Sequence, residues 1–63
     1  MKKKDPGAMV KKLREALGLT QEQFAARVGV TLATVNRWEN GRAKPQPLAL
    51  KTLEALQKRH RLK

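Results

Sequence analysis

The chain has 63 residues, of which fifteen are lysine or arginine and five are aspartate or glutamate, giving a formal net charge of +10 at pH 7. A chain this short forms one small domain, which buries only about 60% of its unfolded surface. The absence of cysteine excludes disulfides and thiolate metal sites. No run of about 18 apolar residues exists, which excludes a transmembrane helix, and no signal-peptide segment follows the basic start.

The basic residues concentrate at the two ends of the chain. Residues 1–14 hold six basic groups and one acidic group, and residues 40–63 hold seven and one. The centre, residues 15–39, holds two basic and three acidic groups. Such a distribution attracts polyanions in a salt-dependent way. Taken alone, it is equally consistent with a solubilising coat of charge.

The first helix is predicted to begin at Pro6, with Asp5 as its N-cap. Gly18 is expected to end it in the left-handed conformation. Helical spacing predicts that its inward stripe consists of Met9, Val10, Leu13, Ala16 and Leu17.

The second helix is predicted over residues 21–28, because Thr20 and Gln23 have the spacing of a capping box. Two helices that cross after a 3–4-residue turn approach closely, so one contact position must be small and the turn favours a residue able to adopt positive φ. Ala25 fits the contact and Gly29 fits the turn. The side chains expected to face inward around this turn are Phe24, Val28, Val30, Val35 and Trp38.

The third helix is predicted over residues 32–40, with Thr31 as its N-cap and Gly41 at its end. Residues 42–47 must form a loop, because residues before proline avoid the α region. The fourth helix is expected from Pro47 to about Arg59. Its inner face is predicted to consist of Ala49, Leu50, Leu53 and Leu56.

The chain resembles the Cro/phage-repressor type of helix-turn-helix domain, which is found in many small bacterial and phage regulators. The resemblance covers about residues 9–56 and rests on four segments: Leu17–Gln21, Phe24–Ala25, Val28–Thr31 and Trp38–Gly41. It implies an all-α, compact, four-helix, lambda-repressor-like fold whose third helix reads DNA. Such families often add a fifth helix, for which residues 57–63 are too short and too basic, so we expect none.

Three regions follow from this interpretation. Residues 1–5 are expected to form a flexible basic arm, whose lysines could wrap around a duplex. Residues 6–59 are expected to form the DNA-binding domain, with the helix-turn-helix at 21–40. Residues 60–63 are expected to form a basic tail.

A recognition helix in the major groove reads base edges with residues near its N-terminus. Arg37 could bind guanine and Asn36 adenine through paired hydrogen bonds. Phosphate contact or full solvation is the alternative for Arg37, and packing against the second helix is the alternative for Leu32. Leu32 and Ala33 stand where the family often has polar base-reading residues, which favours methyl contacts and DNA shape. The predicted base-contacting set is Leu32, Ala33, Thr34, Asn36 and Arg37.

Backbone contacts fix the register of a protein on DNA without reading its sequence. Gln21 opens the second helix, whose N-terminal N–H groups favour anions, and the resemblance implies that it clamps the DNA backbone. For Arg42 and Lys44 the alternative is a solvated side chain. The predicted backbone-contacting set is Gln21, Thr31, Asn40, Arg42 and Lys44.

Three further residues need an interpretation. The spacing of Trp38 from Val35 favours a core role over base stacking. Glu39 would repel phosphate if it were free, and the resemblance implies that it pairs with Arg14. His60 is expected at the surface.

The composition argues against an enzyme. The chain has no serine, cysteine or tyrosine and only one histidine and one aspartate, and it lacks a glycine-rich phosphate loop and a metal-ligand cluster. We therefore predict no catalytic residue, no cofactor and no metal.

Two functional hypotheses remain. The first is a sequence-specific regulator of transcription, in the simplest case a repressor, that binds double-stranded DNA in the cytoplasm, as a homodimer if the site is an inverted repeat. The alternative is an antitoxin-like adaptor that neutralises a toxin-like protein and regulates its own operon, because residues 42–56 resemble the ending of such proteins. A membrane-surface helix is excluded, since each apolar stripe is needed for the core.

Overall fold

Four helices make up the chain in a computed structural model that describes residues 6–62. They are α1 (Pro6–Ala16), α2 (Gln21–Val28), α3 (Leu32–Glu39) and α4 (Pro47–Leu62). Within residues 6–62 there is no strand, and the all-α, four-helix prediction is confirmed. The proposed N-cap of α1, Asp5, and the basic arm of residues 1–5 lie outside the described residues. In the described part of the chain, no helix combines the length and the apolar character needed to cross a membrane.

The turn between α1 and α2 is built as the sequence predicts. The backbone N–H of Leu19 donates to the carbonyl of Arg14 at 3.1 Å, and that of Gly18 donates to Glu15 at 3.0 Å, which is the Schellman pattern. The capping box of α2 is complete, because the Thr20 hydroxyl accepts from the backbone N–H of Gln23 at 3.1 Å and the side-chain Oε1 of Gln23 accepts from the backbone N–H of Thr20 at 2.9 Å. The backbone N–H groups of Thr20 and Gln23, which have no acceptor within the helix, are thereby hydrogen-bonded.

The turn between α2 and α3 depends on Gly29 and Ala25. Gly29 has φ +93°, in the left-handed region, and its N–H donates to the Ala25 carbonyl at 2.8 Å. The Ala25 side chain is only 3% exposed, so it occupies the close contact between the two helices. Thr31 caps α3 by accepting from the Thr34 N–H at 3.2 Å.

The end of α3 differs slightly from the prediction. The helix stops at Glu39 rather than at residue 40, and Asn40 forms the C-cap with φ −90°. Gly41 follows with φ +75°, and the N–H groups of Gly41 and Arg42 donate to the carbonyls of Trp38 and Arg37 at 3.1 and 2.9 Å. This is again a Schellman ending, so the predicted left-handed role of Gly41 is confirmed.

Helix α4 begins at Pro47 as predicted but continues to Leu62, beyond the expected end near Arg59. No glycine or proline follows Pro47, so no residue supplies a stop signal. Basic side chains in the last turn favour the extension, because cations interact well with the C-terminal end of a helix dipole. Residues 60–62, predicted as a tail, are therefore helical.

The core draws on all four helices. Its buried members are Val10, Leu13, Phe24, Ala25, Val35, Trp38 and Leu53. Around it pack the half-buried side chains Met9, Leu17, Leu19, Val28, Val30, Ala43, Ala49, Leu50 and Leu56. The predicted inner faces are thus correct except for Ala16, which is exposed at the last position of α1.

We expect Trp38→Ala to lower the free energy of unfolding by about 3–5 kcal/mol, because it would leave a cavity in a small core. Chemical denaturation monitored by circular dichroism measures this. Leu48→Ala is the matched control, since Leu48 is 80% exposed. An unchanged midpoint for Trp38→Ala would contradict the core role.

Substitutions at Gly41 test the left-handed ending of α3. An added Cβ would meet no atom within 4 Å, so any loss arises from the backbone conformation rather than from a clash. Gly41→Ala should lower the free energy of unfolding by about 1–2 kcal/mol. Gly41→Val should cost more, and Gly41→Asn less, because asparagine tolerates positive φ. Equal unfolding midpoints for the three variants would be inconsistent with this strain.

Candidate nucleic-acid interface

One face of α3 is open to solvent because the opposite face is buried. Val35 and Trp38 are 0% and 3% exposed, which fixes the rotation of the helix. Ala33, Asn36 and Arg37 are exposed as a result, and Leu32 at the helix start keeps 47% of its surface exposed. Leu32 is therefore not buried against α2, the alternative considered for it.

Thr34 belongs to the predicted base-contacting set, which requires exposure, but it is half-buried. It lies on the side of α3 that borders Val30 and Trp38. Its hydroxyl also lies 2.9 Å from that of Thr31, which itself is exposed. Thr34 is thus less available to a ligand than its neighbours on the outward face.

An open groove of about 310 Å³ runs beside α3 and is bordered by two cations, Arg37 and Lys44. Both side chains are exposed, as is Arg42 in the loop after α3. The rest of the groove lining combines apolar side chains, among them Val30 and Trp38, with the polar side chains of Thr34 and Gln46. Positive charge therefore flanks the outward face of α3 on the side of the loop.

Amide side chains line the other flank of that face. Gln21, the first residue of α2, is half-buried, and its Oε1 accepts from Asn36 Nδ2 at 3.4 Å. Asn36 Oδ1 accepts in turn from Asn40 Nδ2 at 3.0 Å. The predicted base-contacting Asn36 thus stands next to two predicted backbone-contacting residues.

Glu39 connects these amide side chains to Arg14, because it accepts from Gln21 and forms an ion pair with Arg14. Arg14 donates from Nε to Glu39 Oε2 at 2.7 Å and from Nη2 to Oε1 at 3.2 Å, so the implied pairing is confirmed with bidentate geometry. The two side chains are 15% and 5% exposed. Gln21 Nε2 donates to Glu39 Oε1 at 3.0 Å, and Arg14 Nη1 donates to the Leu19 carbonyl at 3.0 Å.

The surroundings shift the pKa of both partners towards the charged forms. Burial alone would raise the pKa of Glu39, but hydrogen bonds from Arg14 and Gln21, together with the positive charges of Arg14 and Lys11, bring it below its ordinary value. The hydrogen bond to Glu39 raises the pKa of Arg14 against the opposing effect of desolvation, with help from the charge of Glu15. The pair is ionised near neutral pH.

The hydrogen bonds from Gln21 to Glu39 and from Asn36 to Gln21 have no counterpart among the predictions from the sequence. Gln21 and Asn36 are fifteen residues apart on different helices, so their contact depends on the crossing of α2 and α3. The capping box at Thr20 gave the only signal, since it placed Gln21 at the start of α2. Among the described residues no group of side chains could hold a metal ion, and His60 is exposed.

Glu39→Gln should lower the free energy of unfolding by about 1–3 kcal/mol, between the values for exposed and fully buried ion pairs. Glu22→Gln is the control, because Glu22 is exposed and its loss should change stability by at most about 0.5 kcal/mol. Denaturant titrations of both variants give the comparison. Equal effects would mean that Glu39 acts as an ordinary surface charge.

The same variants predict a pH dependence. Because folding lowers the pKa of Glu39, its contribution is complete above the unfolded value of about 4.3 and disappears as the pH falls through the lower folded value. The difference in stability between wild type and Glu39→Gln should therefore be constant near pH 7 and shrink below about pH 4. A difference that grows on acidification would contradict this sign.

Comparisons with known proteins agree with this architecture. A family model described as helix-turn-helix (HTH_3) matches residues 10–58. An uncharacterized HTH-type transcriptional regulator of Methanothermobacter thermautotrophicus is 43% identical over 53 residues, which cover 82% of this chain and 77% of that protein. The uncharacterized HTH-type transcriptional regulator YiaG of Escherichia coli K12 is 38% identical over 48 residues.

The match to YiaG covers 76% of this chain, which spans about half the length of that relative. No solved structure matches the chain significantly. The family model nevertheless spans all of α2 and α3 and most of α1 and α4. The chain belongs to the XRE-type helix-turn-helix family, which consists of DNA-binding regulators of transcription and not of enzymes.

Proposed function

We propose that this chain is a sequence-specific transcriptional regulator that places α3 in the major groove of double-stranded DNA. One observation supports this above all: burial of Val35 and Trp38 turns Ala33, Asn36 and Arg37 outward together. A helix with one side chain that prefers guanine and another that prefers adenine has the means to read a base sequence.

Direct reading would then come from the outward face of α3. Arg37 would bind guanine through O6 and N7, and Asn36 would bind adenine through N6 and N7. Leu32, Ala33 and the methyl group of Thr34 would contact thymine methyl groups. Since Thr34 is half-buried, its share should be the smallest of these.

Contacts to the phosphate backbone would lie on both sides of α3. Arg42 and Lys44 are exposed on the side of the loop, where they would neutralise phosphates and make binding salt-dependent. On the other side, Gln21 and Asn40 keep amide N–H groups beyond those used in their internal hydrogen bonds. Thr31 is exposed at the N-terminus of α3, where anions are favoured.

Repression is the regulatory outcome that we propose, because occupancy of a promoter is sufficient for it. The protein would act in the cytoplasm, where the DNA of a bacterium or phage is accessible. One chain of this size reads about one half-site, and a single small module gives limited specificity. We therefore propose that two copies bind an inverted repeat.

An antitoxin-like adaptor is the second candidate. The observation that favours it is Leu48, which is 80% exposed at the start of α4 and could contact a partner protein. DNA binding and neutralisation of a toxin-like protein are compatible, and together they would allow regulation of the shared operon. A toxin-like reading frame next to the coding sequence would favour this candidate.

Selection of binding sites from random DNA tests the proposed function. An enriched inverted repeat would support both sequence-specific binding and two copies per site. Binding without preference for any sequence and without salt dependence would refute the DNA-binding proposal, and the adaptor would then replace it.

Single substitutions separate base reading from backbone contact. Arg37→Ala should weaken binding to the selected duplex by about 1–3 kcal/mol and binding to random DNA much less, because only the selected duplex always has a guanine at the position that Arg37 contacts. Arg42→Ala and Lys44→Ala should weaken both equally and reduce the salt slope by about one unit per lost phosphate contact.

Fluorescence anisotropy at several salt concentrations measures these effects. Lys58→Ala is the matched control, since Lys58 is an exposed cation on α4 and does not border the groove beside α3. If Arg37→Ala weakens binding to both duplexes equally, Arg37 contacts phosphate and reads no base.

A further inference from the structure

A chain of hydrogen bonds connects the partly buried ion pair of Arg14 and Glu39 to the outward face of α3. Its members in order are Arg14, Glu39, Gln21, Asn36 and Asn40, and the successive donor–acceptor distances are 2.7, 3.0, 3.4 and 3.0 Å. Exposure increases from Glu39 onward: the Glu39 side chain is 5% exposed, Gln21 is half-buried and Asn36 is exposed. We call these five side chains the polar relay.

The charge of Glu39 gives the polar relay a direction. An ionised carboxylate only accepts hydrogen bonds, so Gln21 must present Nε2 to it. The Oε1 of Gln21 then faces Asn36 and requires a donor, which Asn36 supplies through Nδ2. The Oδ1 of Asn36 points the other way and accepts from Asn40. One negative charge thereby sets the orientation of three amide groups.

Asn36 retains further hydrogen-bonding capacity. Its Nδ2 has a second N–H and its Oδ1 a second lone pair, since each atom is used once within the polar relay. Adenine in the major groove offers the matching pair, an N7 acceptor beside an N6 donor. A carboxamide rotated by half a turn would exchange donor and acceptor and would lose this match.

We propose that Glu39 is a positioning residue for DNA recognition: acting through Gln21, it holds the Asn36 carboxamide in the one orientation that selects adenine. This inference rests on the proposed function, because it requires α3 in the major groove. Glu39 itself touches no base. It acts by fixing Asn36 before DNA arrives, which reduces the loss of side-chain freedom on binding.

The test measures the base preference at each position of the selected site. Dissociation constants are determined for the selected duplex and for duplexes with single base-pair changes. The position read by Asn36 is identified as the one where Asn36→Ala loses its preference for the selected base pair. For a bidentate contact, this preference is a ratio of dissociation constants of about tenfold to a hundredfold. We expect Glu39→Gln and Gln21→Met to lose a large part of that preference at the same position and to keep the preferences elsewhere.

Each variant interrupts the polar relay differently. Glutamine at position 39 both donates and accepts, so it permits either orientation of Gln21. Methionine at position 21 removes the link and leaves the ion pair of Arg14 and Glu39 in place. Gln21→Met also remains informative if Glu39→Gln fails to fold. A lost phosphate contact by Gln21 would weaken all duplexes alike, so it does not alter the ratio that is measured.

Two controls complete the design. Leu53→Ala, a change in the buried core on α4, the helix that holds no member of the polar relay, should lower stability and leave every base preference unchanged. The double variant Glu39→Gln with Asn36→Ala should lose no more preference at the position of Asn36 than Asn36→Ala alone, because the two residues act through one contact.

Several outcomes would overturn the inference. Full retention of preference in Gln21→Met, or uniform loss at all positions, would reduce Glu39 to a structural residue while the proposed function stands. No change of preference in Asn36→Ala would mean that Asn36 reads no base, which also overturns the inference. A wild-type protein without any preference among duplexes would instead refute the proposed function.

Discussion

The ion pair between Arg14 and Glu39 is the contact on which the arrangement of the first three helices depends. It joins the C-terminal ends of α1 and α3, and through Leu19 and Gln21 it reaches the N-terminal end of α2. A carboxylate near a helix C-terminus is unfavourable on its own, because the helix dipole is negative there. Glu39 is stable in this place because Arg14 neutralises it, so replacing either residue alone should destabilise the fold.

Short helices impose a second constraint. α2 and α3 have eight residues each, too few to be stable in isolation, so they form only when packed against the core. In α3 the same two side chains, Val35 and Trp38, provide the packing and determine which residues face outward. In the proposed function, stability and recognition would therefore be coupled in this helix, since a change of packing would rotate its outward face.

Local signals allowed most of the fold to be predicted from the sequence. The bounds of α2 follow from its capping box, and the turns follow from glycines that adopt positive φ. The end of α4 could not be predicted, because no residue after Pro47 marks a stop. The half-burial of Thr34 depends on where the loop and α4 approach α3, and the hydrogen bond from Asn36 to Gln21 depends on how two helices cross. Contacts between helices of this kind do not produce a periodic pattern in the sequence, so they cannot be predicted from it.

The two flanks of α3 differ in physical character. On one side Arg37 and Lys44 border a groove of mixed polar and apolar lining, and their long side chains are exposed. Charges of this kind attract DNA over a distance of about a Debye length, roughly 8–10 Å at physiological salt. On the other side Gln21 and Asn36 are held by hydrogen bonds that trace back to Glu39. Neutral amides exert no such long-range attraction, but fixed donors and acceptors discriminate between bases at contact. In the proposed function, the cations of the first flank would therefore attract DNA from a distance, Arg37 among them also reading guanine, whereas the amides of the second flank would act only at contact.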